Sequence, residues 1–215
     1  MSFVGVVLFG YLLGSCPWGY WLVLLFRGED VRRHGSGNIG VTNVWRVYGR
    51  SLAIPLFVLD FGKGFVPAAV GVLAVSHDAG VAAGAAAMVG HWRPLFLGFK
   101  RGGKMIATSG GVLFAIAPLV ALTCCAVWLT LFALLGYSSV ASVTASALTP
   151  VCSWAYGYPA SVTAFAAVAA VAIAFLHRSN LRRLRNRTES RWNRAALWRL
   201  FPPVPSPPQG RGAGP

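Results

Sequence analysis

The chain has 215 residues, of which 56% are hydrophobic and only 11% are charged. A soluble domain of this size carries far more charge on its surface, so the composition indicates an integral membrane protein. The formal net charge is +14, and its cations lie between and after apolar runs, which favours cytoplasmic loops and anionic lipid or substrate over nucleic acid.

Five apolar runs are each long enough to cross a bilayer as a helix, which takes roughly 20 residues. The first run is expected to stay in the membrane, because it is too long for a signal peptide and no basic region precedes it. In chain order the predicted spans are residues 3–26, 52–75, 79–98, 111–136 and 160–177.

The charged connections predict the orientation of these spans. Arg and Lys concentrate in 27–50, in 99–110 and in the tail that begins at Arg178, whereas 76–78 and 137–159 contain neither. The positive-inside rule therefore predicts an N-terminus outside the cell and a C-terminus in the cytoplasm.

This orientation requires an odd number of crossings, which constrains the stretch 137–159. The stretch is apolar, but it is rich in Ser and Thr and contains Pro150 and Gly157. One further span there would put the basic tail outside, so we expect two short helices or a re-entrant piece that packs on protein. The predicted fold class is an all-α integral membrane protein of about seven helices, with five full spans and two short or re-entrant ones.

The composition divides the chain into three parts. Residues 1–180 are predicted to form a polytopic membrane domain. Residues 181–200 place Leu181, Leu184, Leu197, Trp198 and Leu200 among arginines, which is typical of a basic segment at the membrane interface. Residues 201–215 are too rich in Pro and Gly to bury a core and are predicted to be disordered.

Three polar clusters fall on the predicted cytoplasmic side, at residues 34–46, 91–104 and 177–189. Each combines a His, an Arg or Lys, and small hydrogen-bond donors. One such cluster is typical of a solvated loop with helix caps, but three at the same depth indicate a shared polar ligand. Phosphate fits them, because it accepts several N–H groups and positive charge together.

Glycines give two of the clusters a specific character. In the second, Gly102 and Gly103 precede Lys104, an arrangement that can cradle phosphate at the start of a helix. The first combines glycines, which permit positive φ and close backbone approach, with side-chain donors: Gly35, Gly37, Gly40, Ser36 and Asn38.

Several chemistries find no support in the sequence. No Cys/His cluster or CxxC motif is present, so no metal site is predicted. The Walker spacing and the G-x-S-x-G motif are also absent. No His is followed five positions later by the Asp that the widespread glycerolipid acyltransferases use.

Acidic residues are scarce, and two of them lie close to cations. Asp60 precedes Lys63 by one helical step in an apolar run, which leaves a buried ion pair and a role in the site as open alternatives. Glu189 lies among arginines and is expected to anchor the tail.

A phosphate site at a membrane suits acyl transfer to a phosphorylated alcohol, because the acyl chain stays in lipid while the phosphates stay in the polar site. On its motifs the sequence resembles the bacterial membrane acyl-phosphate:glycerol-3-phosphate acyltransferases. The matching pieces occur in the family's order: YLLGSCPWG (11–19), GSGNIGVTNVWRVYG (35–49), LDFGKGFVP (59–67), GHWRPLFLGF…GGK…AT (90–108), SVASVT (139–144) and HRSNLRRL…TE (177–189).

The resemblance implies transfer of a fatty acyl group from a long-chain acyl-phosphate to the 1-hydroxyl of glycerol 3-phosphate. Lysophosphatidate and phosphate would form in a multi-pass protein of the bacterial cell membrane, with neither coenzyme A nor a metal or other cofactor. The site residues that it implies are Ser36, Arg46, Lys104, His177 and Asn180, followed by Asn38, Thr42, Asn43 and Ser142.

The sequence departs from the family pattern at two places. The family usually reads F-K-G-G-K-G, whereas this chain has an additional Arg101 and has Met105 for the last glycine. These two residues are expected to crowd the phosphate loop. The glycine that follows the third cluster's leucine is replaced by Arg187.

The hypothesis for the mechanism is direct attack by the glycerol hydroxyl on acyl-phosphate. Arg46 and Lys104 would hold phosphate charge, the GSGN backbone would stabilise the oxyanion, and Ser36 would position substrate. The proton would pass to His177 or to a substrate phosphate, and the sequence leaves both open. The alternative is a transporter or binding protein for a phosphorylated metabolite, which requires ionisable residues at mid-depth in several helices.

Overall fold

Every regular element in the described part of the chain, residues 1–192, is helical in the computed structural model. The all-α prediction is therefore confirmed. Residues 193–200 of the predicted interfacial segment and the predicted tail 201–215 lie outside the described residues. The helices are α1 Phe3–Gly14, α2 Trp18–Arg27, α3 Val41–Tyr48, α4 Arg50–Ala74, α5 His77–Trp92, α6 Ile106–Ile116, α7 Pro118–Leu135, α8 Ser138–Ala155, α9 Ala160–Leu176 and α10 Arg178–Arg185.

The helices run between two ends of one bundle. We name the end where segments 28–40, 93–105 and 177–192 meet the basic end, and the opposite end, at the turns near residues 76, 117 and 157, the far end. Residues 1–192 pass between them seven times, through α1 with α2, then α4, α5, α6, α7, α8 and α9.

Contacts between distant residues fix these directions. At the far end, a His77 ring nitrogen lies 3.1 Å from the Ile116 carbonyl oxygen. At the basic end, the Ser139 hydroxyl donates to Glu189 at 3.0 Å. The α6 helix therefore runs away from the basic end, and α7 returns to it.

The predicted span 111–136 is thus wrong, because it contains the end of one passage and the whole of the next. Its division falls at Ala117, after which Pro118 begins α7, a position where the missing N–H of proline costs nothing. Gly136, with φ of 74°, ends α7.

The stretch 137–159 forms one helix, α8, and not two short pieces. Pro150 does not break it, although a proline removes the N–H that would bond the carbonyl four residues earlier. That carbonyl belongs to Ser146, and the Thr149 hydroxyl donates to it at 2.7 Å instead. The allocation of five long spans plus two short helices is therefore corrected to seven passages.

By length and composition, three helical segments of the described residues can cross a membrane. They are Phe3–Arg27, which contains α1 and α2, Arg50–Ala74 and Pro118–Leu135. A fourth is added if α9 and α10, which meet at 54°, count as one span. Small residues allow the remaining passages to pack closely inside the bundle. A Cβ on Gly64 of α4, for example, would overlap the Thr108 carbonyl of α6.

A buried ion pair on α4 is linked to the passage formed by α1 and α2. Lys63 Nζ lies 2.7 Å from Asp60 Oδ1, and the two side chains are 1% and 3% exposed. The same amine donates to the Cys16 carbonyl at 2.9 Å, in the interruption between α1 and α2. The ion-pair alternative is confirmed, and Asp60 also lines the cavity described below.

Candidate active site

One cavity of about 350 Å³ opens inside the bundle and has two chemically different parts. Its polar part lies at the basic end, where the three clusters of the sequence meet, and includes Ser36, Asn38, Thr42, Arg46, Lys104, His177 and Asn180. Its apolar part is a groove between α4, α6 and α7, lined by Phe57, Phe61, Phe114, Trp128 and Leu129.

Asn43 organises the loop before α3, and its side chain is fully used within the protein. Its Oδ1 accepts the Ser36 N–H at 2.8 Å, and its Nδ2 donates to the carbonyls of His34 at 3.1 Å and Asn38 at 2.9 Å. Gly35 has φ of 59°, and a Cβ there would overlap Asn43 Oδ1. Asn43 therefore shapes the loop that carries Ser36 and Asn38.

Most backbone donors of this loop are also taken. The Gly37 N–H donates to the His34 carbonyl at 3.0 Å, and the Gly40 N–H donates to Asn38 Oδ1 at 2.8 Å. The N–H groups of Ser36 and Gly37 are therefore not free for the oxyanion stabilisation predicted for the GSGN backbone, whereas those of Gly35 and Asn38 make no hydrogen bond within the described residues.

The beginning of α3 supplies donors that the sequence did not indicate. Gly40 is its N-cap and has no side chain to cap the helix. Among the described residues, the N–H groups of Val41 and Thr42 have no hydrogen-bond partner. A helix N-terminus of this kind attracts anions through its free N–H groups and its dipole.

Arg46 lies one helical turn after Thr42 on the face of α3 that lines the cavity. Its guanidinium lies over the Trp192 ring, 5.3 Å from the ring centroid. Burial lowers the pKa of Arg46, but an arginine remains charged in proteins. The polar part of the cavity therefore holds a permanent cation.

The second glycine loop contributes a side chain and not a backbone cradle. The Gly102 N–H donates to the Trp92 carbonyl at 2.9 Å, and the Gly103 N–H donates to the His91 carbonyl at 3.1 Å. A Cβ on Gly103 would overlap the His91 ring. The N–H groups of Gly102 and Gly103 are therefore not free to form the predicted cradle, and the two glycines allow close packing that places Lys104.

The two unusual residues near this loop do not crowd the site. Met105 has φ of 70°, a left-handed conformation that favours glycine, and its side chain is buried in the apolar core. Arg101 is exposed, and neither residue lines the cavity. Arg187 has φ of 58°, so both positions where the family has glycine are left-handed here.

A chain of polar contacts fixes Lys104. Its amine donates to Asn180 Oδ1, and Asn180 Nδ2 donates to Glu189 Oε1 at 2.7 Å. Arg183 also donates to Glu189, at 2.7 Å. Burial lowers the pKa of Lys104 to about 8, assisted by nearby cations. Burial acts to raise the pKa of Glu189, but the hydrogen bonds of Asn180, Arg183 and Ser139 outweigh it and lower the pKa.

His177 lies at the bend between α9 and α10 and lines the cavity. Its Nδ1 is 2.8 Å from the Ile173 carbonyl oxygen. A carbonyl only accepts, so this contact assigns the proton to Nδ1 and leaves the lone pair on Nε2.

Ser142 lies deeper in the cavity, on α8. Its hydroxyl oxygen accepts the Trp128 indole N–H at 3.0 Å. The hydroxyl proton remains available to a ligand, so Ser142 offers one donor at the boundary between the polar part and the groove.

Nine of the predicted site residues line this one cavity, whereas Gly35, Gly37, Gly102 and Gly103 shape the loops around it. The nine are Ser36, Asn38, Thr42, Asn43, Arg46, Lys104, Ser142, His177 and Asn180.

The sequence analysis missed Trp192. This residue contacts Arg46 although the two are far apart in the sequence, so no local pattern indicates the contact. Within residues 1–192, no group of three or more His, Cys, Asp or Glu side chains could hold a metal ion.

A helical bundle with a cavity that is cationic at the basic end and apolar along the groove can hold a molecule with a charged head and an apolar chain. The chain belongs to the family described as "Glycerol-3-phosphate acyltransferase", whose pattern matches residues 4–187. The integral membrane proteins of this family take part in phospholipid synthesis.

Curated relatives carry the same description over nearly their whole length. The chain is 42% identical over 194 residues to a glycerol-3-phosphate acyltransferase of Aquifex aeolicus, covering 89% of this chain and 100% of that one. It is 45% identical over 190 residues to one of Rhodospirillum rubrum, covering 85% and 87% of the two chains.

Two solved structures are similar in fold. Both are of PlsY (YgiH), described as an integral membrane glycerol 3-phosphate acyltransferase. The glycerol 3-phosphate form has a TM-score of 0.86 and 40% identity, covering 90% of this chain and 96% of that one. The lysophosphatidic acid form has a TM-score of 0.84 and 38% identity, covering 92% and 98%.

Proposed function

We propose that this chain transfers a fatty acyl group from acyl-phosphate to the 1-hydroxyl of glycerol 3-phosphate. The products are lysophosphatidate and inorganic phosphate, and neither coenzyme A nor a metal takes part. The observation that carries the proposal is the continuity of the cationic pocket with the apolar groove in one cavity. The similar PlsY structures, in glycerol 3-phosphate and lysophosphatidic acid forms, support the same substrate and product here.

The polar part binds the phosphate groups. Arg46 and Lys104 supply positive charge, and the free N–H groups of Val41 and Thr42 supply directed donors. Charge-assisted hydrogen bonds of this kind are stronger than neutral ones. The groove that begins beside Ser142 receives the acyl chain, so the carbonyl to be attacked lies where the two parts meet.

The reaction needs no covalent enzyme intermediate, because acyl-phosphate is a mixed anhydride with a good leaving group. The glycerol 1-hydroxyl oxygen forms a bond to the acyl carbon, and the bond from that carbon to the phosphate oxygen breaks. Phosphate leaves with the bonding electron pair. The hydroxyl proton passes to His177 Nε2, whose lone pair is assigned by the Ile173 contact, or to a substrate phosphate.

The orientation follows from the charges. Lys104, Arg46 and the arginines of α10 lie at the basic end, and the positive-inside rule puts that end in the cytoplasm. Val6 packs with Ala79 and Ala83 near the far end, so the N-terminus lies outside. The seven passages of residues 1–192 agree with the odd number that this orientation requires.

The proposal is tested with the purified protein in detergent micelles. Palmitoyl-phosphate and labelled glycerol 3-phosphate are expected to give labelled lysophosphatidate, and palmitoyl-coenzyme A in place of palmitoyl-phosphate is expected to give none. Product with the thioester, or none with either donor, would contradict the proposed donor. Uptake of glycerol 3-phosphate into vesicles without acylated product would favour the transporter instead.

The direct attack has its own test. Ser36 has no adjacent general base: its N–H is held by Asn43, and its hydroxyl makes no hydrogen bond within the described residues. Incubation with labelled palmitoyl-phosphate alone is therefore expected to leave the protein unlabelled. A stable acyl group on Ser36 that is absent from Ser36→Ala would overturn the direct route.

A further inference from the structure

The last described residues fold back across the basic end of the bundle. We name residues 189–192 the C-terminal strap. The Trp192 N–H donates to the Gly136 carbonyl at 2.9 Å, and Arg191 Nε donates to the Leu135 carbonyl at 2.9 Å. The last carbonyls of a helix lack partners within it, so the strap satisfies those at the end of α7.

The opposite end of the strap is fixed inside the site. Glu189 accepts hydrogen bonds from Asn180, Arg183 and Ser139, and its side chain is 6% exposed. The strap is therefore tied at both ends, to α10 and α8 through Glu189 and to α7 through its last two residues.

Besides Asn180, the strap contacts a second residue of the site, Arg46. The Trp192 ring lies edge-on to Trp45 at 5.7 Å and to Phe132 at 5.6 Å between centroids. Trp45 belongs to α3 and Phe132 to α7, so the indole fills the space between these helices. The Arg46 guanidinium lies over the same indole, and its Nη2 is 3.5 Å from the Ser190 carbonyl oxygen.

We infer that Trp192 is a positioning residue that holds the Arg46 guanidinium in the phosphate site. The inference rests on the proposed function for the identity of the phosphate substrate. The matched family pattern ends at residue 187, so this contact lies beyond the motifs that identify the site.

The physical reason is the freedom of an arginine side chain. Its guanidinium is planar and stacks on aromatic faces, which restricts the rotamers it would otherwise sample. Without the indole, Arg46 reaches water at the basic end, and the cost of returning it to the cavity is added to substrate binding. The guanidinium contacts phosphate both before and during the reaction. Removal of the indole is therefore expected to raise KM more than it lowers kcat.

The experiment compares Trp192→Ala, Trp192→Leu and Trp192→Phe in full-length protein. Leucine keeps apolar volume without an aromatic face, whereas phenylalanine keeps the face. We expect Trp192→Ala and Trp192→Leu to raise the KM for glycerol 3-phosphate about tenfold at unchanged kcat, and Trp192→Phe to restore most of the loss. Trp154→Ala is the matched control, because Trp154 is 77% exposed and lies towards the far end of α8.

A second set of variants separates positioning from general packing. In Arg46→Lys, which keeps the charge but not the planar face, Trp192→Leu is expected to add little further increase in KM. Equal increases in both backgrounds would overturn the inference. So would a KM in Trp192→Leu that matches the parent, or a loss in Trp192→Phe as large as that in Trp192→Leu.

A direct measurement keeps the inference separate from the proposed function. Phenylglyoxal modifies accessible arginines, and mass spectrometry reports the extent of modification at Arg46. We expect Arg46 to be modified fastest in Trp192→Leu, more slowly in Trp192→Phe and most slowly in the parent. The rate in Trp154→Ala is expected to equal that of the parent. Parent protein that makes no lysophosphatidate contradicts the proposed function, whereas an unchanged rate at Arg46 in Trp192→Leu contradicts the positioning role. If Trp192→Ala fails to fold, the leucine and phenylalanine variants carry both measurements.

Discussion

The two glycine-rich loops at the basic end resemble one another in sequence and differ in how they serve the cavity. The loop before α3 keeps the N–H groups of Gly37 and Gly40 occupied but delivers a helix N-terminus with free donors at Val41 and Thr42. The loop before α6 is bonded to the end of α5 through Gly102 and Gly103. It delivers the cationic side chain of Lys104 to the cavity.

The comparison shows that glycine next to a cation does not by itself indicate a backbone cradle for phosphate. In the first loop glycine provides positive φ around Asn43, and in the second it provides room for the His91 ring. Whether an N–H faces a ligand depends on which carbonyls lie near it in the folded protein.

The largest expected effect tests the contribution of the second loop. Lys104→Ala removes one cation and the partner of Asn180. We expect kcat/KM for glycerol 3-phosphate to fall about a hundredfold or more, because truncating a buried charged group leaves its partners unpaired. Lys100→Ala, an exposed lysine of the same loop, is expected to change it by less than about twofold. Equal losses in the two variants would show that only the net charge of the loop matters.

The next effect tests whether the second loop's glycine serves packing. Gly103→Ala places a methyl group against the His91 ring and is expected to displace Lys104. Overpacking of this kind costs about 1–3 kcal/mol, so thermal unfolding in micelles should occur at a lower temperature and activity should fall about tenfold. Gly62→Ala on α4 is the control, because a Cβ there meets no atom within 4 Å. A fully active, equally stable Gly103→Ala would contradict the packing role.

A smaller effect tests the first loop. Asn43→Asp keeps an acceptor for the Ser36 N–H but replaces the amide that donates to the His34 and Asn38 carbonyls. Each unpaired buried group costs about 1–3 kcal/mol, so the free energy of unfolding should fall by about 2 kcal/mol. The exposed Asn186 provides the matched control, Asn186→Asp, for which no change is expected. Unaltered stability of Asn43→Asp would remove Asn43 from its organising role.

The smallest effect distinguishes the two loops by pH. Lys104 has a pKa of about 8, lowered by burial, whereas backbone N–H groups do not titrate in this range. Below that pH the amine is charged and binds phosphate; above it the charge is lost, so the KM for glycerol 3-phosphate should rise by at most about tenfold per pH unit. Lys104→Arg should abolish this rise, since arginine stays protonated. A rise that persists in Lys104→Arg would assign the titration to another group.

Much of the fold was predictable, because apolar length and charge asymmetry reflect the membrane directly. Hydropathy correctly located four of the seven passages but joined the end of α6 and the whole of α7 into one span, since a turn between two apolar helices need not contain polar residues. Pro118 was the available signal, as a helix start inside an apolar run. Pro150 suggested a break that α8 does not have. The Thr149 hydroxyl donates to the Ser146 carbonyl that the proline leaves without its helical partner.

The site was predictable in its side chains and not in its backbone. Arg46, Lys104, His177 and Asn180 line one cavity as their motifs indicated. The use of each N–H depends on contacts between distant segments, such as Gly103 with His91, which no local pattern encodes. The same holds for Trp192, whose partners on α3 and α7 are far away in the sequence.

The interruption between α1 and α2 has a consequence for charge inside the bundle. In an unbroken helix the Cys16 carbonyl would accept the Tyr20 N–H, but that N–H donates to Pro17 at 2.9 Å instead. The Cys16 carbonyl oxygen instead accepts a hydrogen bond from the Lys63 amine, as a water molecule would at an exposed site. A continuous first span would remove this hydrogen bond from the Lys63 amine. The break in one helix therefore stabilises a buried polar group of its neighbour.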